Sequence, residues 1–285
     1  MEITPHIHAV MVPLGPTPDH FVYVYLVYGE HITLIDTGFN GSEKIIYEYI
    51  RSTDRNPADI ELIILTHSHP DHIGAAQVIR DLTGCEVAAH LLDVPAIEHI
   101  DPNLLKSPAP GVPPMVGGPV LVGRHLQDGN TISLGSGLTF EVIHTPGHTP
   151  GSISLLLREE MALFTGDTVQ APKRVPIYSD PVALVRSLRR LDAIQGVTYY
   201  LPSHDIPSSG DLTHFCIADS LNYIRRVHAA VEKAASAYPV SPDPEVLASQ
   251  VLAELGIPTT ARPFITRTIH ADITADRLDE VLDEE

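Results

Sequence analysis

Apolar residues fall into two strand-rich passages, with helical patterning between and after them. The first passage holds IHAVMVP (7–13), FVYVYLVY (21–28) and HITLID (31–36), rich in β-branched and aromatic residues, with Gly29-Glu30 as a hairpin-like break. A helix is expected from Ser42 to Arg51, then the strand ELIILT (61–66) and a helix from about Asp71 to Leu82 closed by Gly84. The strand CEVAAH (85–90) follows. The second passage begins near Asn130 with TISL, LTFEVIH, SISLLLR and MALFTGD. It continues into a helix over 180–192, with Asp180 at the N-cap and Pro181 at N1, and ends in VTYYLPSH (197–204). Strand groups alternating with helices imply a layered α/β architecture of two sheets, each covered on its outer face.

Residues 101–129 are rich in Pro and Gly and show no period, as expected of a lid or an insertion. Beyond residue 213 the pattern is helical. The expected division is therefore a main domain over 1–212 and a small helical region over 213–285.

Composition narrows the function more than the fold. The chain has 285 residues, 44% hydrophobic, enough for a sizeable core. Net charge is −18, which disfavours nucleic acid as partner or substrate. No apolar run approaches the roughly 20 residues that span a bilayer. The N-terminus lacks the basic and apolar regions of a secretion signal, so the cytoplasm is the expected compartment. Cys85 and Cys216 form neither a disulfide framework nor a metal knuckle, and Cys85 reads as buried filler. The acidic run over 271–285 reads as a solvated helix face.

The chemistry concentrates where strands end. The segment THSHPDH (66–72) places His67, His69, Asp71 and His72 on a strand-to-helix turn, directly after the apolar LIIL. Imidazole and carboxylate suit zinc, iron and manganese, and packing alone does not explain four such groups in six residues. His148 in HTPGHTPGS, Asp167 in FTGD and His204 in YYLPSH stand at the ends of later strands, where scaffolds place functional groups. The other eleven of the sixteen histidines, including His6, His8, His20 and His144, read as structural.

THSHPDH, TPGHTPGS, TGD, PSH and the earlier LIDTG (34–38), in this order over about residues 5–210, resemble the metallo-β-lactamase superfamily. The resemblance implies an α/β fold, a four-layer αββα sandwich with a two-metal site along the sheet edges. It implies that His67, His69 and His148 hold one metal, that Asp71, His72 and His204 hold the other, and that Asp167 bridges both. Asp36 is then expected to orient a ligand histidine.

Two divalent cations, zinc first with iron or manganese as alternatives, would share a hydroxide that attacks a small electrophile. Asp71 and Asp167 are the expected catalytic residues, Asp71 orienting the nucleophile or moving its proton. Among branches, the chain looks most like hydroxyacylglutathione hydrolases and lactonases, which makes a thioester or lactone the expected substrate. Alternatives from other classes are a mononuclear iron persulfide dioxygenase, a phosphodiester or sulfate ester hydrolase, and a binding protein with an incidental site. Tyr178, Lys173 and Arg174, with Arg225 and Arg226 behind them, are the candidate substrate contacts. The expected partner is a small molecule, with no nucleic acid or membrane, and a homodimer is possible through the lid or the helical region.

Overall fold

The computed structural model describes all residues except 15–19, 110, 173, 211, 239–241 and 285. One six-stranded sheet runs in sequence order: β1 (Ile7–Pro13), β2 (Phe21–Tyr28), β3 (Ile32–Ile35), β4 (Ile60–Leu65), β5 (Glu86–His90) and β6 (Arg124–Leu126). The first three strands are antiparallel hairpin neighbours, and β3 to β6 are parallel. Parallel strands need crossovers, and here helices supply two of them. These are α1 (Glu43–Ser52) and, split in two, α2 (Pro70–Ile73) with α3 (Ala76–Thr83); the short α4 (Val94–Glu98) precedes β6.

The single helix expected over 71–82 is interrupted because the carbonyl of Gly74 accepts a hydrogen bond from Gly117 N at 2.9 Å instead of serving the helix. Gly84 closes α3 at φ 73°, as its position suggested. The core of this sheet joins Val24, Leu26, Leu34, Ile63 and Leu65 to Ile46 and Ile50 of α1 and Ile79 of α3, all fully buried.

The second sheet has the order β12-β11-β10-β9-β8-β7: β7 (Thr131–Ser133), β8 (Thr139–His144), β9 (Ile153–Leu157), β10 (Ala162–Gly166), β11 (Tyr199–Pro202) and β12 (Ser208–Ser209). The two sheets meet where the Tyr25 ring sits edge-on to Phe164, with centroids 5.2 Å apart, and Phe164 in turn meets Phe140. This is the α/β sandwich that the strand pattern implied.

The remaining helices are α5 (Pro181–Asp192), α6 (Leu212–Ala235), α7 (Pro244–Leu255), α8 (Arg262–Ile273) and α9 (Leu278–Asp283). Asp180 caps α5, accepting from Ala183 N, with Pro181 at its first position. Contacts group the chain into two compact units, each drawn from several stretches of the sequence. One comprises Met1–His144, Gly151–Gly166 and Leu201–Pro207, and the other Thr145–Pro150, Asp167–Tyr200 and Ser208–Glu285. The physical reason for this grouping is that α5 packs with α6 and α9, so it belongs with the C-terminal helices.

The lid expected over 101–129 does not extend through its second half. Val116, Val120 and Val122 are buried in the core of the first sheet, and β6 lies inside this range. Among the described residues, no helix is long and apolar enough to cross a membrane.

Candidate metal centre

In the first unit β4 delivers THSHPDH. The strand ends at Leu65, and the next residue, Thr66, donates from its backbone N–H and its hydroxyl to the two oxygens of Asp36, each at 2.8 Å. The second oxygen of Asp36 also accepts from His72 Nδ1 at 2.8 Å, with both side chains fully buried. Thr66 spends its hydroxyl hydrogen on Asp36, so its oxygen accepts from His67 Nδ1 at 3.0 Å. One carboxylate therefore orients two imidazoles, one directly and one through a hydroxyl. Thr37 secures the same turn by donating twice, from N and from Oγ1, to the His72 carbonyl.

The close fit extends to β10. A Cβ on Gly166, whose φ is +52°, would lie 2.9 Å from Thr66 Oγ1, so the glycine of TGD lets that strand end reach the turn. His204 lies in the same unit. Its Nδ1 donates to the Phe21 carbonyl at 2.8 Å, and its Nε2 is 3.1 Å from Asp71 Oδ2. His72 Nε2 is 3.6 Å from the same oxygen. Asp71, His72 and His204 thus offer donor atoms that all lie within 4.8 Å of one another. The His67 ring packs at 4.8 Å from His69 and 4.0 Å from His72.

In the second unit His148 and Asp167 form a pair of their own, Nε2 to Oδ2 at 3.5 Å. His148 Nδ1 donates to the Ile177 carbonyl at 2.6 Å. Gln170 ties the two loops together: its amide nitrogen donates to the Asp167 carbonyl at 2.7 Å and its oxygen accepts from Ile177 N at 3.0 Å. Thr145 and Thr168 share a further hydroxyl contact at 2.9 Å.

The donor chemistry fits a divalent cation. A carbonyl or carboxylate acceptor on Nδ1 requires the proton there, which leaves Nε2 as a lone-pair donor. His72, His148 and His204 meet that condition, and His67 meets it through Thr66. Asp71 and Asp167 add hard oxygen donors beside these nitrogens.

One residue was not singled out in the sequence. Asp93, almost fully buried, accepts from Ser68 N at 2.8 Å and Gly151 N at 2.7 Å, joining the THSHPDH turn to the glycine of TPGS. Its only signal was an acid before Val94-Pro95, which reads as an ordinary helix cap. His144 stacks on His90 at 4.0 Å, and burial with that neighbour pushes the His90 pKa down to about 4, so His90 is neutral at pH 7. His6 pairs with Glu160 and His8 with Tyr49, as structural histidines do.

The expected substrate contacts fall in different settings. Tyr178 is fully buried and its hydroxyl donates to Asp272, so it braces the interior rather than meeting a substrate. The Arg225 guanidinium is engaged by the Leu282 carbonyl and Asn222. Arg174 is half-buried, and its carbonyl accepts from the Tyr223 hydroxyl. Lys173 lies outside the described residues.

The family model described as the metallo-beta-lactamase superfamily matches residues 17–237. The chain belongs to this superfamily. It is similar to hydroxyacylglutathione hydrolase GloC of Haemophilus influenzae, 30% identical over 142 residues, covering 49% of this chain and 62% of that protein. It is also similar to the probable metallo-hydrolase YqjP of Bacillus subtilis, 29% identical over 218 residues, covering 65% and 67%. The match thus spans less than two thirds of the first of these relatives. A metallo-beta-lactamase family protein from Thermus thermophilus has the same fold, with a TM-score of 0.74 at 20% identity, covering 95% of this chain and 94% of the other.

Proposed function

We propose that this member of the superfamily is a two-metal hydrolase of a small thioester or lactone. His67, His69 and His148 would hold one cation, Asp71, His72 and His204 the second, and Asp167 would bridge them. The observation that supports this reading is the outer hydrogen bond on Nδ1 of His72, His148 and His204, which leaves each Nε2 with a lone pair to offer a cation. Zinc is the first candidate, with manganese and iron accepting the same donors.

When bound, such a cation pair acidifies water and polarises a carbonyl oxygen. The protein's own part is geometric and protonic. Asp36 and Asp93 hold the THSHPDH turn. Asp71 Oδ2, 3.1 Å from His204 Nε2, is placed to orient an attacking water and to accept its proton. The leaving thiol or alcohol takes a proton from this carboxyl or from solvent.

The thioester is favoured over the lactone because relatives named hydroxyacylglutathione hydrolase recur, including that of Hyphomonas neptunium at 26% identity over 186 residues. The half-buried Arg174 is our candidate for meeting a substrate carboxylate. We propose a small molecule as the protein's partner and the cytoplasm as its compartment.

A hydrolysis panel on zinc- and manganese-loaded protein tests the reading. The panel pairs an acyl-glutathione thioester with short and long acyl lactones and a phosphodiester. Chelator-sensitive turnover of the thioester or a lactone is expected. Silence on these, with iron bound and oxygen consumed on adding a persulfide, would replace it with the dioxygenase.

A further inference from the structure

Three polar groups in the second unit form a line, running from the interior toward the surface, that the reaction does not use. The Tyr178 hydroxyl donates to Asp272 Oδ2 at 3.2 Å, and Asp272 Oδ1 accepts from His228 Nδ1 at 2.7 Å. His228 Nε2 donates to Asp279 at 3.0 Å, with Glu232 at 3.9 Å. Tyr178 and Asp272 are buried, whereas Asp279 and Glu232 lie at the surface.

This line ends on the backbone that fixes His148. Thr268 of α8, also buried, donates to the Pro176 carbonyl at 2.8 Å and accepts from Tyr178 N at 3.3 Å. Between these two residues stands Ile177, whose carbonyl accepts from His148 Nδ1 and whose N–H donates to Gln170. Gln170 is itself held by the Ser220 hydroxyl of α6, which accepts from its N–H at 2.8 Å. The strip Pro176–Tyr178 therefore bonds to α8 on one side and to the His148 and Asp167 loops on the other.

Burying a carboxylate between a phenol and an imidazole is costly unless each group is satisfied, and an apolar filling would be no less stable. A hydrogen-bonded filling adds direction. We propose that Tyr178 and Asp272, braced by His228, are positioning residues that hold the Ile177 carbonyl so that His148 keeps its Nε2 turned to the metal. The inference rests on the two-metal reading.

The test uses the full chain, stripped of metal and titrated with zinc against a chromophoric chelator, with melting followed in parallel. Wild type is expected to bind two zinc ions. Tyr178→Phe and Asp272→Asn should weaken one of the two by about tenfold, the low end of what loss of an outer partner costs. Leu252→Ala, in the fully buried face of α7, should lower the melting temperature and leave both affinities unchanged. In metal-free protein, nitrogen-15 NMR should show His148 as the Nδ1–H tautomer in wild type and as a mixture in Tyr178→Phe.

Unaltered zinc affinities and an unaltered His148 tautomer in both network variants would overturn the inference while leaving the two-metal reading in place. A wild type that binds no metal would overturn both. Should Asp272→Asn fail to fold, Tyr178→Phe decides alone, since it removes a single oxygen.

Discussion

Asp36 accepts three hydrogen bonds, two from Thr66 and one from His72, while its backbone sits in the left-handed region at φ +62°. Asparagine tolerates that conformation well, so Asp36→Asn isolates the carboxylate's chemistry from backbone strain. The variant should fold, and chelator competition should show zinc affinity reduced by about 10–100-fold. Affinity equal to wild type would mean that Asp36 only closes the turn. Asp167→Ala should bind less metal and lose turnover while its circular dichroism stays native, because Asp167 stands at a strand end rather than in the core. Retained activity would contradict the bridging role. At this scale the sequence was most informative: four potential ligands sit within six residues and the others follow strands, all local patterns. Asp93 drew no notice and Tyr178 was expected at a substrate, because the partners of both lie 25 to 94 positions away, which no local pattern reveals.

Between elements, the loop that carries His148 depends on a close approach. A Cβ on Gly147, whose φ is +133°, would lie 2.5 Å from the Leu184 backbone in α5, and both Ser179 and Asp180 donate to the Gly147 carbonyl. Gly147→Ala should therefore lower the melting temperature by several degrees and weaken metal binding through displacement of the loop. A variant that melts and binds like wild type would show that the loop relaxes freely. Most of the longer strands followed directly from the apolar runs, since β4 and β5 are largely buried segments flanked by turns. The break between α2 and α3 and the packing of residues 116–122 were not legible. Both involve contacts between segments distant in sequence, the Gly117-to-Gly74 hydrogen bond among them.

For the whole molecule, the acidic surplus reads mostly as a solvated surface. In α9, Leu278, Val281 and Leu282 are buried while the acids between them are exposed. Within the acidic run 271–285, Asp272 is buried instead, and its partner His228 lies 44 positions earlier. Hydrogen bonding to Asp272, opposed by burial and aided by Asp279 and Glu232, pushes the His228 pKa up to about 9. A pKa above the ordinary value of about 6.5 means that the pair's stabilisation is complete below that pH and fades as pH rises through about 9. The melting-temperature gap between wild type and His228→Gln should accordingly shrink between pH 6.5 and 9.5. A gap independent of pH would place the contribution in packing instead.

The most direct test of the central claim is turnover of an acyl-glutathione thioester while zinc is returned stepwise to the metal-free chain. The two-metal reading predicts that activity reaches its plateau at two zinc ions per chain, and that a chelator abolishes it. Full activity with one bound iron, or a chain carrying two zinc ions that cleaves neither thioester nor lactone, would contradict it.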